Sequence, residues 1–177
     1  MYDDLTEFQR WAAGNLVDNR NRGIFAEWLV SQALDAIGET DVRKEWDAVD
    51  VRFGGLAIEV KASGLSQTWN QSASSTPRFD VAPQKTAWNA DTDDWVAYDP
   101  PQRTADVYVF CLLAYKGDKR MLNPLDLSQW EFYVVKTSEI DRIFGERSSI
   151  SINRIKELSQ AYSVDRLSDA VEAEYSA

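Results

Sequence analysis

From Val49 to Lys61 the chain alternates apolar and polar residues on either side of a Gly54-Gly55 pair, a pattern that a β-hairpin satisfies and a helix does not. A two-residue turn at the glycines sets Phe53 against Leu56, Val51 against Ile58 and Val49 against Val60. All of these side chains are apolar, and they fall on one face. The other face holds Ala48, Asp50 and Arg52 on the first strand and Ala57, Glu59 and Lys61 on the second. This register puts Asp50 across from Glu59, with Cα atoms ~4.5–5.5 Å apart. Lys61 follows ~6–7 Å further along the same face.

Like charges directly opposite in a hairpin are destabilising. Two arrangements relieve the repulsion. Arg52 and Lys61 can neutralise Asp50 and Glu59 diagonally on a solvent-facing strand pair, or a cation can sit between the carboxylates. The second arrangement is what phosphodiester hydrolysis requires: carboxylates hold Mg²⁺, which activates a water and offsets phosphate charge. A neighbouring lysine then positions or deprotonates that water, or stabilises the pentacovalent phosphate.

The rest of the composition narrows the chemistry. Histidine is absent from the 177 residues, which removes Ser-His-Asp and Cys-His catalysis and imidazole-ligated zinc. The one cysteine, Cys111, lies in the apolar run Val107–Leu113 and reads as a small buried hydrophobe. Hydrolytic chemistry must therefore run on carboxylates, lysine and a hard ion such as Mg²⁺. The net charge of −10 opposes indiscriminate nucleic-acid binding, although part of it sits in the acidic tail from Asp165. The acidic start Met1-Tyr2-Asp3-Asp4 differs from a secretory signal, and no apolar run approaches the ~20 residues of a membrane span. A cytoplasmic chain without membrane contact is the expectation.

Around the hairpin, residues 3–17 and 22–37 read as amphipathic helices. The second carries Ala26, Leu29, Val30, Ala33, Leu34 and Ile37 on one stripe, with Asn21 as N-cap and Gly38 as stop. Strand character is expected from Val42. A short helix near 65–72 opens an irregular excursion over about 66–104. Strands follow at 106–115, apolar enough to be central, and from Trp130 to Val135. Thr137 or Ser138 caps a helix at 139–144. Residues 148–154 read as a short strand with a helix cap, and from about 151 helical segments at 153–161 and 165–175 close the chain. No linker divides residues 1–177, so a single α/β domain with a mixed central sheet is expected.

Glu27 lies at the edge of the apolar stripe of the second helix, one turn after Gly23, where a carboxylate can lean toward the sheet or keep its head in water. With Glu27 ahead of Asp50, and Glu59-Val60-Lys61 on the following strand, the chain resembles the PD-(D/E)XK nuclease superfamily of restriction endonucleases, junction resolvases and repair exonucleases. The resemblance spans roughly residues 20 to 136 by element order. It departs from the family where Val49 stands in place of a frequent proline. It implies a restriction-endonuclease-like sandwich, one or two Mg²⁺ or Mn²⁺ ions, and cleavage of nucleic acid, most simply as a DNA endonuclease of restriction or repair type. Glu27, Asp50 and Glu59 are then the metal-binding carboxylates, joined by the Val60 carbonyl, and Lys61 is the catalytic base or phosphate clamp. Asp47 competes with Asp50 if a bulge intervenes. Double-strand cleavage by a chain with one site implies a homodimer.

Two other readings keep the fold but not the chemistry. A nuclease-like fold can serve as a binding or assembly module, and an acidic chain can act as an interaction protein that mimics nucleic acid. Trp69, Trp88 and Trp95 could stack on unpaired bases, but aromatics that pin the excursion onto the core explain them more simply.

Overall fold

In the computed structural model, which describes residues 5–38, 41–44, 47–69, 76–89 and 92–176, the hairpin is the edge of a mixed sheet. Helices α1 (Leu5–Ala13) and α2 (Asn19–Ala33) precede strands β1 (Val51–Phe53) and β2 (Leu56–Gly64). Then come β3 (Arg78–Asp80), β4 (Gln84–Asn89), β5 (Asp94–Gln102), β6 (Val107–Leu113), β7 (Trp130–Lys136), α3 (Thr137–Phe144), β8 (Ser149–Ser151), α4 (Ile152–Ile155) and α5 (Leu167–Ser176). The main sheet runs β1-β2-β6-β7, with β2 and β6 parallel and the outer pairs antiparallel.

Strand β6 is buried along its length because both of its faces are apolar. Val107, Val109, Cys111 and Leu113 pack on one side with Leu29 and Val30 of α2 and Val171 of α5. Tyr108, Phe110 and Leu112 pack on the other with Phe79 of β3, Ile140 of α3, Ile150 of β8 and Ile155 of α4. The fold is therefore mixed α/β, with helices on both faces of the sheet. No helix among the described residues is long and apolar enough to cross a membrane. Arg103 ties down the lower core: its side chain is 1% exposed and donates to the carbonyls of Val81, Gly145 and Arg147 and to Asp141.

Next to the turn the hairpin register is the expected one, with Val51 opposite Ile58 and Phe53 opposite Leu56. Val51, Ile58 and Val60 are buried against α2. The turn needs glycine, since Gly54 and Gly55 have φ of 57° and 88°. A Cβ would meet no neighbour at either position, so only backbone strain opposes substitution. Gly55→Ala is expected to cost about 1–2 kcal/mol in urea unfolding. Gly54→Asn should be near neutral, because Asn tolerates this conformation in a tight hairpin turn.

Several expectations are corrected. Helix α2 is capped by Asp18, whose carboxylate accepts from Arg20 N, rather than by Asn21. It ends well before Gly38. Asp35 takes the left-handed conformation (φ 52°), and the N–H groups of Asp35 and Ala36 close back on Gln32 and Ser31 carbonyls. Residues 42–44 are exposed and form no strand, and no described strand pairs with them. Residues 65–69 bend instead of forming a helix, and the rest of that expected helix lies outside the described residues.

The excursion is more regular than expected. It contributes β3, which pairs with β8, and an antiparallel ribbon of β4 and β5. Trp88 and Trp95 pack edge to face across that ribbon, 5.6 Å between ring centroids, so they stabilise it rather than pin it to the core. Trp69 and Trp95 stay exposed. Thr137 is no cap: its hydroxyl donates to Ala105 O, and Lys136 holds the cap position. The helix expected at 153–161 stops at Ile155, because Tyr162 is drawn to the free edge of β7, exchanging backbone hydrogen bonds with Phe132 (2.8 and 3.0 Å).

Candidate active site

Glu59 and Lys61 project from β2 on the side opposite Ile58 and Val60. Glu59, 7% exposed, lies beside Tyr108 of β6 in the parallel register. Lys61 Nζ is 2.5 Å from Glu59 Oε1. Burial raises the Tyr108 phenol, and the Glu59 charge adds to that, so Tyr108 stays protonated.

The hairpin ladder does not continue evenly to Asp50. Asp50 N–H donates to Ile58 O (3.1 Å), although the register that pairs Val51 with Ile58 would leave that carbonyl to Val51. This irregularity acts as a bulge and turns the chain out of the sheet. Val49 is consequently buried in the opposite core with Phe79 and Val81, not beside Val51 and Val60 as alternation predicts. Thr104 Oγ1 anchors the departing chain at Ala48 O (2.8 Å). The Val60 N–H, left without its ladder partner, donates to Asp50 Oδ2 at 2.7 Å.

Asp50 keeps one side open to solvent, but protein atoms crowd its carboxyl group. Its pKa is pushed up to about 7, first by loss of solvation and then by the negative charges of Glu59 and Glu27. The Val60 N–H and Lys61 pull the other way without compensating. At neutral pH Asp50 is thus poised between its two charge states. Lys61 is governed by a different balance. Burial would lower its pKa, yet Glu59, by charge and hydrogen bond, and then Asp50 and Asp80 outweigh burial and raise it. Lys61 is a firmly held cation, suited to donate hydrogen bonds to an anionic oxygen.

Glu27 approaches closely enough for its charge to act on Asp50, but both of its carboxylate oxygens are bonded to Arg43, Oε1 at 2.9 Å from Nη2. Asp47 accepts from Arg52 (3.2 Å) and from Ala48 N, and no hydrogen bond among the described residues joins it to Glu59 or Lys61. The structure thus brings Asp50, Glu59 and Lys61 together and leaves Glu27 at the rim. Sequence reasoning missed Asp80, whose charge reaches both Lys61 and Tyr108. Its signal was the short alternation Arg78-Phe79-Asp80-Val81, with Phe79 and Val81 buried and Asp80 exposed.

Among the described residues, no three acid, cysteine or histidine side chains gather into a complete cation cage. Asp50 and Glu59 nonetheless suit a partly hydrated Mg²⁺ or Mn²⁺, which uses one or two carboxylates plus waters and substrate phosphate. Each spends one oxygen on the protein, Asp50 Oδ2 on Val60 and Glu59 Oε1 on Lys61. The second oxygen of each has no hydrogen bond from the described residues and is available to a cation. Comparison of the chain with family models, with curated proteins and with solved structures finds no match.

Proposed function

We propose that this chain is a metal-dependent nuclease of the PD-(D/E)XK type, a DNA endonuclease with a restriction-endonuclease-like sandwich built on the β1-β2-β6-β7 sheet. The observation that carries this reading is the juxtaposition of Asp50 and Glu59, with Asp50 accepting from the Val60 N–H of the strand that carries Glu59 and the Lys61 ammonium bonded to Glu59. A divalent ion bound there would supply a nucleophilic water and offset charge on the phosphate. Asp50 Oδ1 and Glu59 Oε2 would hold the ion, with the Val60 carbonyl as the third ligand that the family resemblance implies. Lys61 leaves Glu59 for a phosphate oxygen and there stabilises the charge that builds up as the P–O bond breaks. This assigns Lys61 the clamp role rather than the base. Glu27 joins only if Arg43 releases it.

A second reading, a nuclease-like fold that binds without cutting, is favoured by the Glu27–Arg43 and Lys61–Glu59 pairs, which satisfy two of the carboxylates without any ion. Incubation with mixed single- and double-stranded DNA separates the two. The nuclease reading expects cleavage with Mg²⁺ or Mn²⁺ and none with EDTA. DNA retention without cleavage in either ion supports the binding module.

A further inference from the structure

The N-terminal helix α1 has no buried residue. Leu5, Phe8 and Trp11 recur at helical spacing, with Ala12 between them in projection, and form a stripe on one face. They are 67, 60 and 84% exposed. Thr6 and Arg10 occupy the opposite face, with Gln9 and Glu7 at the two edges of the stripe. An amphipathic helix left in this state has an apolar face that no described residue buries.

On the outer side of α2 lies an apolar groove of about 490 Å³. Its floor is Phe25, Trp28, Leu29 and Ala33, and its wall includes Leu125 and Leu127. Phe25 and Trp28 stack with centroids 5.7 Å apart, and Leu125 is 65% exposed. The floor runs over eight steps of α2, ~12 Å at the helical rise, and the Leu5–Ala12 stripe is ~10 Å long. Helix and groove match in length and in chemistry.

No residue of α1 lines the groove of its own chain. The turn between α1 and α2 is fixed by Asn15, whose carbonyl accepts from Asn21 Nδ2 (3.1 Å) and whose side chain accepts from Val17 N (3.2 Å). Buried Arg22 adds bonds to Val17 O (3.0 Å) and to Asn19. Folding α1 back along α2 would break this set.

We infer that the groove receives α1 of a second copy of this chain, and that the exchange is reciprocal, giving a two-fold dimer. A reciprocal contact closes on itself and leaves neither surface uncovered. Burying the three large side chains and their groove twice removes roughly 1,500–2,000 Å² from solvent, within the range of stable protein interfaces. A lipid surface is the poorer occupant: α1 carries one basic residue, Arg10, offset by Glu7, where an interfacial helix needs several cations on its polar face. The inference does not depend on the nuclease reading.

The test is sedimentation velocity of the full chain at about 100 μM, where a Kd of ~1 μM leaves the dimer dominant. Wild type is expected to be a dimer. Trp11→Glu, which alters only the helix, and Leu125→Glu, which alters only the groove, are each expected to be monomers with unchanged circular dichroism. An equimolar mixture of the two variants should form heterodimers through the one intact helix–groove pair. A monomeric wild type, including one whose α1 binds vesicles instead, overturns the inference. So does a dimer that survives either substitution, or a mixture that fails to associate.

Discussion

Lys61→Ala is expected to lower DNA cleavage by at least ~10²-fold while leaving Mn²⁺ affinity equal or slightly better. The two effects separate because of what Lys61 touches. Its ammonium has no lone pair for a cation, and it is bonded to Glu59 Oε1, beside the Oε2 that would hold the ion. Removing it frees Oε1 and removes a positive charge next to the ion. The same removal leaves the phosphate without its fixed donor. Calorimetric titration alongside a cleavage assay reads both quantities. A Lys61→Ala protein that cuts as well as wild type assigns the lysine to the Glu59 ion pair alone.

Asp50→Asn is expected to abolish cleavage to a similar extent, but by a different route, because it loses the metal as well. The variant also has a signature that no loss of activity can imitate. Asp50 in the folded protein titrates near 7, above the ~3.9 of an unfolded aspartate. A carboxyl group with a raised folded pKa contributes stability that is fully present below the unfolded value and is lost as pH rises through the folded one. Metal-free wild type should therefore lose stability relative to Asp50→Asn between about pH 4 and pH 7. Solvent on the open side of Asp50 keeps the difference to about 1 kcal/mol, or ~2–4 °C in Tm. Thermal melts of both proteins across that window measure it. Parallel melting curves would mean that neither burial nor the charges of Glu59 and Glu27 raise the Asp50 carboxyl.

The site was legible in the sequence to the extent that local pattern determined it. Strict alternation around Gly54-Gly55 placed Glu59 and Lys61 on one side of β2 and Ile58 and Val60 on the other, because a one-residue slip would have buried charges. The run Val107–Leu113 could be read as central because both of its faces are apolar. The details of Asp50 were not legible. Its position depends on a bulge, and that bulge depends on Thr104, more than fifty residues away, holding Ala48. Asp80 was hidden for a similar reason: β3 is three residues long and forms only because β8 pairs with it. The end of α2 was misread because Asp35, rather than a glycine, takes the left-handed conformation. Glu27 is taken up by Arg43, which lies in a segment whose pattern suggests a strand.

The central claim, that Asp50 and Glu59 form a divalent-metal site, is tested most directly by calorimetric titration of the wild-type protein with Mn²⁺ near pH 7 in two buffers of different ionisation enthalpy. The account predicts saturable binding below about 1 mM, accompanied by release of roughly half a proton per ion as Asp50 gives up its share. Asp50→Asn should lose both the binding and the proton release. No binding at millimolar Mn²⁺, or binding without proton release that Asp50→Asn leaves intact, would contradict it.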